Sequence, residues 1–316
     1  MSKTSKALLI GGIILAVGLV IGLIGFTLSG FSFEGLSSTK AVTNTYDVTK
    51  SFENISIDVK TDKIYIQPSE DGKCHVVCEE SDKFYHQVTV TNNTLMITTV
   101  DETSWTDWIS RSSEVWVYLP EKAYQALDIH SSTGKAIIQS NIFFDNITVE
   151  ASTGDVFVSS SSKKTDIKVT TGDINLSDLS SNEISLETST GRIQLNSITC
   201  SGKISTKVST GKIVLNDVSC KNFISNGTTG DVDLTNVIAE ENFSIERSTG
   251  DVTLDECDAP DIYVKTSTGE VKASLLSPKI FFTDSNTGDI DVPKTTTGGT
   301  CTIETDTGDI EITIKK

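Results

Sequence analysis

Ten Thr-Gly pairs recur every 18 to 20 residues, with their glycines at Gly134, Gly154, Gly172, Gly191, Gly211, Gly230, Gly250, Gly269, Gly288 and Gly308. A period this regular over most of a chain marks a repeat architecture, in which each unit buries its apolar face against its neighbours. Counted from each glycine, apolar residues favour offsets minus seven and minus five, as in Leu127 and Ile129, Ile184 and Leu186, or Ile262 and Val264. They return at plus two and plus four, as in Val156 and Val158, Ile193 and Leu195, or Ile310 and Ile312. Alternation at period two, rich in Ile and Val, predicts strands with one buried face and excludes helix.

Between the two strand arms lies a small polar corner, typically Ser-Thr-Gly-Asp, where glycine adopts positive φ and the neighbouring side chains bond the local backbone. Two architectures satisfy this pattern: coils of a parallel β-solenoid stacked in register, or serial hairpins with Thr-Gly as the loop. The confined spacing favours the solenoid, because hairpin connections have no reason to keep one length. The expectation is therefore an all-β parallel solenoid of about ten regular coils over residues 127–316, preceded by degenerate coils and a cap over 51–126.

Upstream, Lys3 and Lys6 precede an uncharged apolar run from Ala7 to Leu28, long enough to span a bilayer. It is longer than the core of a cleavable signal, which predicts a cytoplasmic tail over 1–6, a retained anchor over 7–29 and an extracytoplasmic remainder. Gly18 and Gly22 offer one close-approach motif in that span. Residues 30–50, rich in Ser, Thr and Gly, read as a spacer.

With 43 acidic against 26 basic residues, net charge is −17, which opposes binding to nucleic acid and to other polyanions. In the stretch 51–126, Ile55, Ile57 and Val59 followed by Ile64 and Ile66 resemble one more coil that has lost its glycine. Val88, Val90, Leu95 and Ile97 flank Asn92-Asn93 as a second degenerate turn, Asn being tolerant of positive φ. Trp105 and Trp108 then interrupt the pattern, either as a binding device or, preferably, as cover for the open end of the core. At the other end Ile310, Ile312 and Ile314 lead to Lys315-Lys316, an open last coil with lysines to deter edge pairing.

Candidate chemistry is sparse. The residues following the glycines are Lys135, Asp155, Asp173, Arg192, Lys212, Asp231, Asp251, Glu270, Asp289 and Asp309, a column in any solenoid. Asp231, Asp251, Glu270, Asp289 and Asp309 are the candidate binding face. Calcium bridging is disfavoured because the spacing of calcium-binding nonapeptides is missing, and a solvated corner of turn-forming aspartates is the simpler account. The threonine before every glycine offers hydroxyls either to a ligand or to the stack itself. Cys200 and Cys220 share an offset and would lie on adjacent coils, more readily as buried thiols than as a disulfide. Cys74 and Cys78 share a strand face while His75 points away, which argues against zinc on those three. No cofactor or catalytic residue is assigned, since no paired-carboxylate arrangement, P-loop, dinucleotide fingerprint or nucleophile elbow occurs.

The Ser-Thr-Gly-Asp-Val repeats, the preceding strand ending Val-Tyr-Leu-Pro at Val117 to Pro120, and the amino-terminal span together resemble the bacterial putative adhesin family of membrane proteins, LiaG-like proteins included. The similarity covers roughly Ser51 to Lys316. It implies a β-solenoid outside the cytoplasmic membrane and transfers no catalytic residue. Lys135, Arg192, Lys212 and Glu270 depart from the Thr-Gly-Asp pattern, which weakens a continuous metal column. The expected function is a non-enzymatic, membrane-anchored scaffold that presents an acidic face to an envelope protein or glycan. An envelope polysaccharide enzyme built on a β-helix and a spacer with no specific ligand are the competing readings.

Overall fold

The structure, a computed structural model, describes residues 42–103 and 113–315. The apolar run Ala7–Leu28, Trp105, Trp108 and Lys316 lie outside the described residues, among which no helix is long and apolar enough to cross a membrane. Val42–Val48, inside the expected spacer, is a strand.

Each repeat is one coil of a parallel solenoid. The strand Glu183–Thr190 pairs with Ser162–Thr171 on one side and Lys203–Thr210 on the other, while Ile193–Cys200, across the Thr-Gly corner, pairs with Ile174–Ser181 and Ile213–Thr229. The two arms joined by a corner are thus not partners, which removes the serial-hairpin alternative. Register is offset on offset: Ile184 faces Ile204, Leu186 faces Thr206, and Thr190 faces Thr210. Parallel pairing at matched offsets stacks the apolar positions into one internal core, in which Thr165, Thr206 and Ser225 are fully buried polar members. Each apolar side chain in it contributes about 1.5–3 kcal/mol by leaving water. Inside the core, Phe52, Tyr124 and Phe144 stack at centroid separations of 5.9 and 5.7 Å.

The corners explain the glycines. At Gly211, φ is +142° and an added Cβ would lie 1.9 Å from the carbonyl oxygen of Gly191 on the coil below. Coil after coil, backbone approaches backbone where only hydrogen fits. A second corner falls six residues later, where Asp178, Ser197, Asp217, Asn236 and Glu256 all take φ between 52° and 56°. No single residue type marks that position in the sequence as glycine marks the first corner.

Chain order and stacking order part company at both ends. The expected glycine-free coil exists: Ile55 faces Leu127, Ile64 faces Ala136, and Asp62 occupies the corner beneath Gly134. Outside it lie Thr94–Asp101 and Ser113–Leu119, although they follow it in sequence. The Asn92-Asn93 turn is a hairpin instead of a coil corner, joining antiparallel Phe84–Thr91 to Thr94–Asp101 with both asparagines at positive φ. Two successive residues of that conformation match the twist of an antiparallel pair. Cys74–Glu80 and Val42–Val48 add further antiparallel strands, so this end is capped by reversed β-structure.

The opposite end corrects the expectation of a final open coil at Ile310 to Ile314. That coil is inserted between the Gly269 and Gly288 coils: Val271 faces Ile310, and Ile290 faces Ile310 from the other side. Matched offsets make coils interchangeable, so nothing in the repeat forbids the exchange. Among the described residues the outermost coil is Lys279–Thr287 with Ile290–Asp291, leaving Phe282 and Ile290 57% and 43% exposed. Lys279 is buried and clamps the coil to Asp258 at 2.6 Å.

Candidate functional site

The corner carboxylates are engaged with the stack. Asp231 Oδ1 accepts the Asp251 amide at 3.2 Å, Asp251 Oδ1 accepts the Glu270 amide at 2.8 Å, and Asp309 Oδ1 accepts the Asp289 amide at 2.8 Å. Asp155 and Asp173 do the same for Asp173 and Arg192. One oxygen of each therefore bonds the next coil, and the exposed edge of the carboxyl group faces water. The arrangement brings Asp231, Asp251, Glu270, Asp309 and Asp289 into one file in that spatial order, with Lys212 beside it 2.5 Å from Asp233.

The threonines before the glycines are exposed, and corner support comes from a different offset. Three residues before the glycine, Thr188, Thr266 and Thr305 donate their hydroxyls to the carbonyls of Gly172, Gly250 and Gly269 at 3.1 to 3.3 Å. All six cysteines are free and buried, so Cys200 and Cys220 form no disulfide. Burial pushes the Cys220 thiol up to about 12, which leaves it protonated and unreactive at neutral pH.

Outward-facing positions carry two features of another kind. On one face, His130, Glu150, Lys168 and Glu187 follow one another up the stack, with Lys207 2.7 Å from Glu187, over an open groove of about 530 Å³ lined also by Ser131, Ser152 and Ser189. On the adjoining face, register sets Val77, Trp116, Tyr65, Ile137 and Phe157 side by side on five strands. The Tyr65 and Trp116 rings stack at 5.4 Å with 13° between planes, and Lys135 Nζ lies 4.0 Å above the Phe157 ring. These side chains are half-buried and alternate with the fully buried Ile64, Ile66, Val115 and Val117. Their positions are scattered through the sequence, and only strand register joins them.

Next to this row, His75 bonds Asp71 at 2.9 Å and Asp47 at 3.1 Å. Those two carboxylates hold its pKa above the ordinary histidine value. Beneath the cap, Asp62, Glu80 and His86 are buried together with Cys78. Burial alone would push the Asp62 carboxyl up; hydrogen bonds from His86, Ser113 and Thr99 outweigh it and hold the group below the usual range. As expected, His75 faces away from Cys74 and Cys78; the cluster instead recruits Glu80 and His86, residues the Cys74-to-Cys78 motif does not include.

A parallel β-solenoid with one capped end, an ordered ladder of carboxylates and outward columns of side chains defines an all-β repeat architecture. The chain belongs to the Toastrack DUF4097 family, whose model matches residues 52–208 and, again, 201–316. Among solved structures it is similar to a putative adhesin from Parabacteroides distasonis, at 15% identity over 85% of this chain and 98% of that one, with a TM-score of 0.49. A putative adhesin from Bacteroides fragilis shares 17% identity over 87% and 97% of the two chains, TM-score 0.43. A putative lipid binding protein from Parabacteroides distasonis shares 14% over 74% and 95%, TM-score 0.47. No curated protein matches the chain.

Proposed function

We propose that this chain is a membrane-anchored, extracytoplasmic binding scaffold that acts without catalysis and contacts a neutral envelope glycan through the row Trp116, Tyr65 and Phe157. The stacked pair Tyr65 and Trp116 carries this reading, because aromatic faces on a rigid sheet meet the C–H faces of sugar rings at little entropic cost. Gln67 and Tyr118, paired in the next row, supply hydrogen-bonding groups beside it. The acidic file Asp231, Asp251, Glu270, Asp309 and Asp289, with the net charge of −17, selects against polyanions. Anchoring through Ala7–Leu28 places the capped end, and with it the aromatic row, first along the chain from the membrane.

Co-sedimentation with cell-wall material and binding to neutral polysaccharides test this. Trp116→Ala combined with Tyr65→Ala is expected to weaken binding at least tenfold, about 1.4 kcal/mol, while alanine at Asp231, Asp251 and Asp289 leaves it intact. Equal binding by the aromatic double variant contradicts the proposal. Turnover of the glycan by the wild-type chain would establish the enzymatic alternative instead.

A further inference from the structure

The cluster beneath the cap contains a histidine whose two ring nitrogens both face carboxylate oxygens. His86 Nε2 lies 3.1 Å from Asp62 Oδ1, and Nδ1 lies 3.1 Å from Glu80 Oε1. Neutral imidazole has one N–H and one lone pair, so it satisfies one of these contacts and sets a lone pair against an oxygen at the other. The second contact therefore calls for a proton or a metal ion between the two atoms. Glu80 also accepts the His86 backbone amide at 2.8 Å, the Tyr46 hydroxyl at 3.0 Å and the Asn44 side-chain amide at 2.5 Å. Neither Asp62 nor Glu80 has a lysine or arginine partner among the described residues.

The third participant decides between proton and metal ion. Cys78, fully buried, brings its sulfur to the same point: one ligand atom each from Cys78, Glu80 and His86 all lie within 4.8 Å of one another. The edges of a tetrahedral zinc site with sulfur, oxygen and nitrogen ligands are about 3.2–3.8 Å, so small side-chain rotations close the trio around an ion. A proton on His86 makes no use of the thiol, whereas a borderline-soft divalent ion uses all three donors. Asp62 completes the pattern, because a metal-bound histidine characteristically donates its other N–H to a carboxylate.

We propose that Cys78, Glu80 and His86, the last through Nδ1, bind a divalent ion of the zinc class, with Asp62 as the positioning residue that orients the His86 ring. On binding, the thiol proton of Cys78 and any proton on Nδ1 pass to solvent, and a water fills the remaining coordination position. The location gives the ion its consequence. Asp62 belongs to the first coil, at the corner beneath Gly134, whereas Cys78, Glu80 and His86 belong to the antiparallel cap. The ion fastens the cap to the stack.

The test uses the full chain, purified without a histidine tag or chelator and dialysed, with metal content measured by mass spectrometry. About one equivalent of zinc per chain is expected in the wild type, and less than a tenth of that in Cys78→Ser and His86→Gln. Asp62→Asn should retain the ion but bind it 10–100-fold more weakly in chelator competition. Because either ligand variant can lose the cap, the wild type is also exchanged into cobalt, where an intense near-ultraviolet thiolate-to-metal absorption is the expected signature. Wild-type protein that is isolated metal-free, shows no such band with cobalt and no thermal shift with zinc would overturn the proposal. A proton in the second contact would then be the occupant.

Discussion

The glycine of each repeat is a steric necessity, and the aspartate after it is a hydrogen-bond acceptor; the two roles predict different mutational costs. Gly211→Ala places a methyl 1.9 Å from a backbone oxygen at a φ of +142°, and neither coil can retreat without breaking register. The expected loss is on the order of 3–5 kcal/mol in chemical denaturation; a loss below about 1 kcal/mol would mean that the coils do not approach as described. Asp251 accepts one amide from the next coil. Asp251→Ala should therefore cost about 0.5–1.5 kcal/mol, while Asp251→Asn, which keeps the acceptor, should leave the midpoint essentially unchanged, with or without calcium. A calcium-dependent midpoint abolished equally by both changes would reassign the file to metal binding.

At the scale of the element, the cap and the coils obey different rules. His75 links the strand Cys74–Glu80 to Asp47 on the neighbouring Val42–Val48 strand and to Asp71 in the preceding loop. Its pKa is raised in the folded state, so the contribution is complete below the unfolded value of about 6.5 and is lost as pH rises through the folded value. For a pair this near the surface the amount is below about 1 kcal/mol. Ring-proton titration by NMR should place His75 above its ordinary value and show Asp71→Asn moving it down; titration at or below the ordinary value contradicts the geometry. The regular coils were legible in the sequence because the spacing of Ile184, Leu186, Ile193 and Leu195 recurs in most units, with Thr165, Thr206, Ser225 and Thr283 as departures. The second corner was not, since Asp178, Ser197, Asp217, Asn236 and Glu256 share a positive φ and polar side chains but no single residue type that marks the position as glycine marks the first corner. The aromatic row and the His86 cluster escaped for a related reason: Tyr65 meets Trp116, and Asp62 meets His86, through register and cap topology that no local pattern encodes.

Across the whole molecule, equivalence of the coils makes the stack extensible and also lets its ends be rearranged. Lys265 pairs with Glu304 and Glu304 with Asp284, so the Gly288 coil is terminal even though another coil follows it in the chain. Among the described residues its strands have neighbours on one side only, and Phe282 and Ile290 are exposed. Hydrogen exchange should accordingly be faster in Lys279–Thr287 than in Gly299–Thr307. The reverse order of protection would restore a stack that follows the sequence.

One distance decides between stacked windings and any serial arrangement of strands. Nitroxide labels at Lys168 and Lys265 occupy the same offset five coils apart, and parallel strands rise about 4.8 Å per coil. Pulsed electron–electron resonance should therefore give a separation near 24 Å, five times that rise. An antiparallel meander advances two strands per repeat and would place the labels about 48 Å apart, a result that contradicts the solenoid and every column built on it.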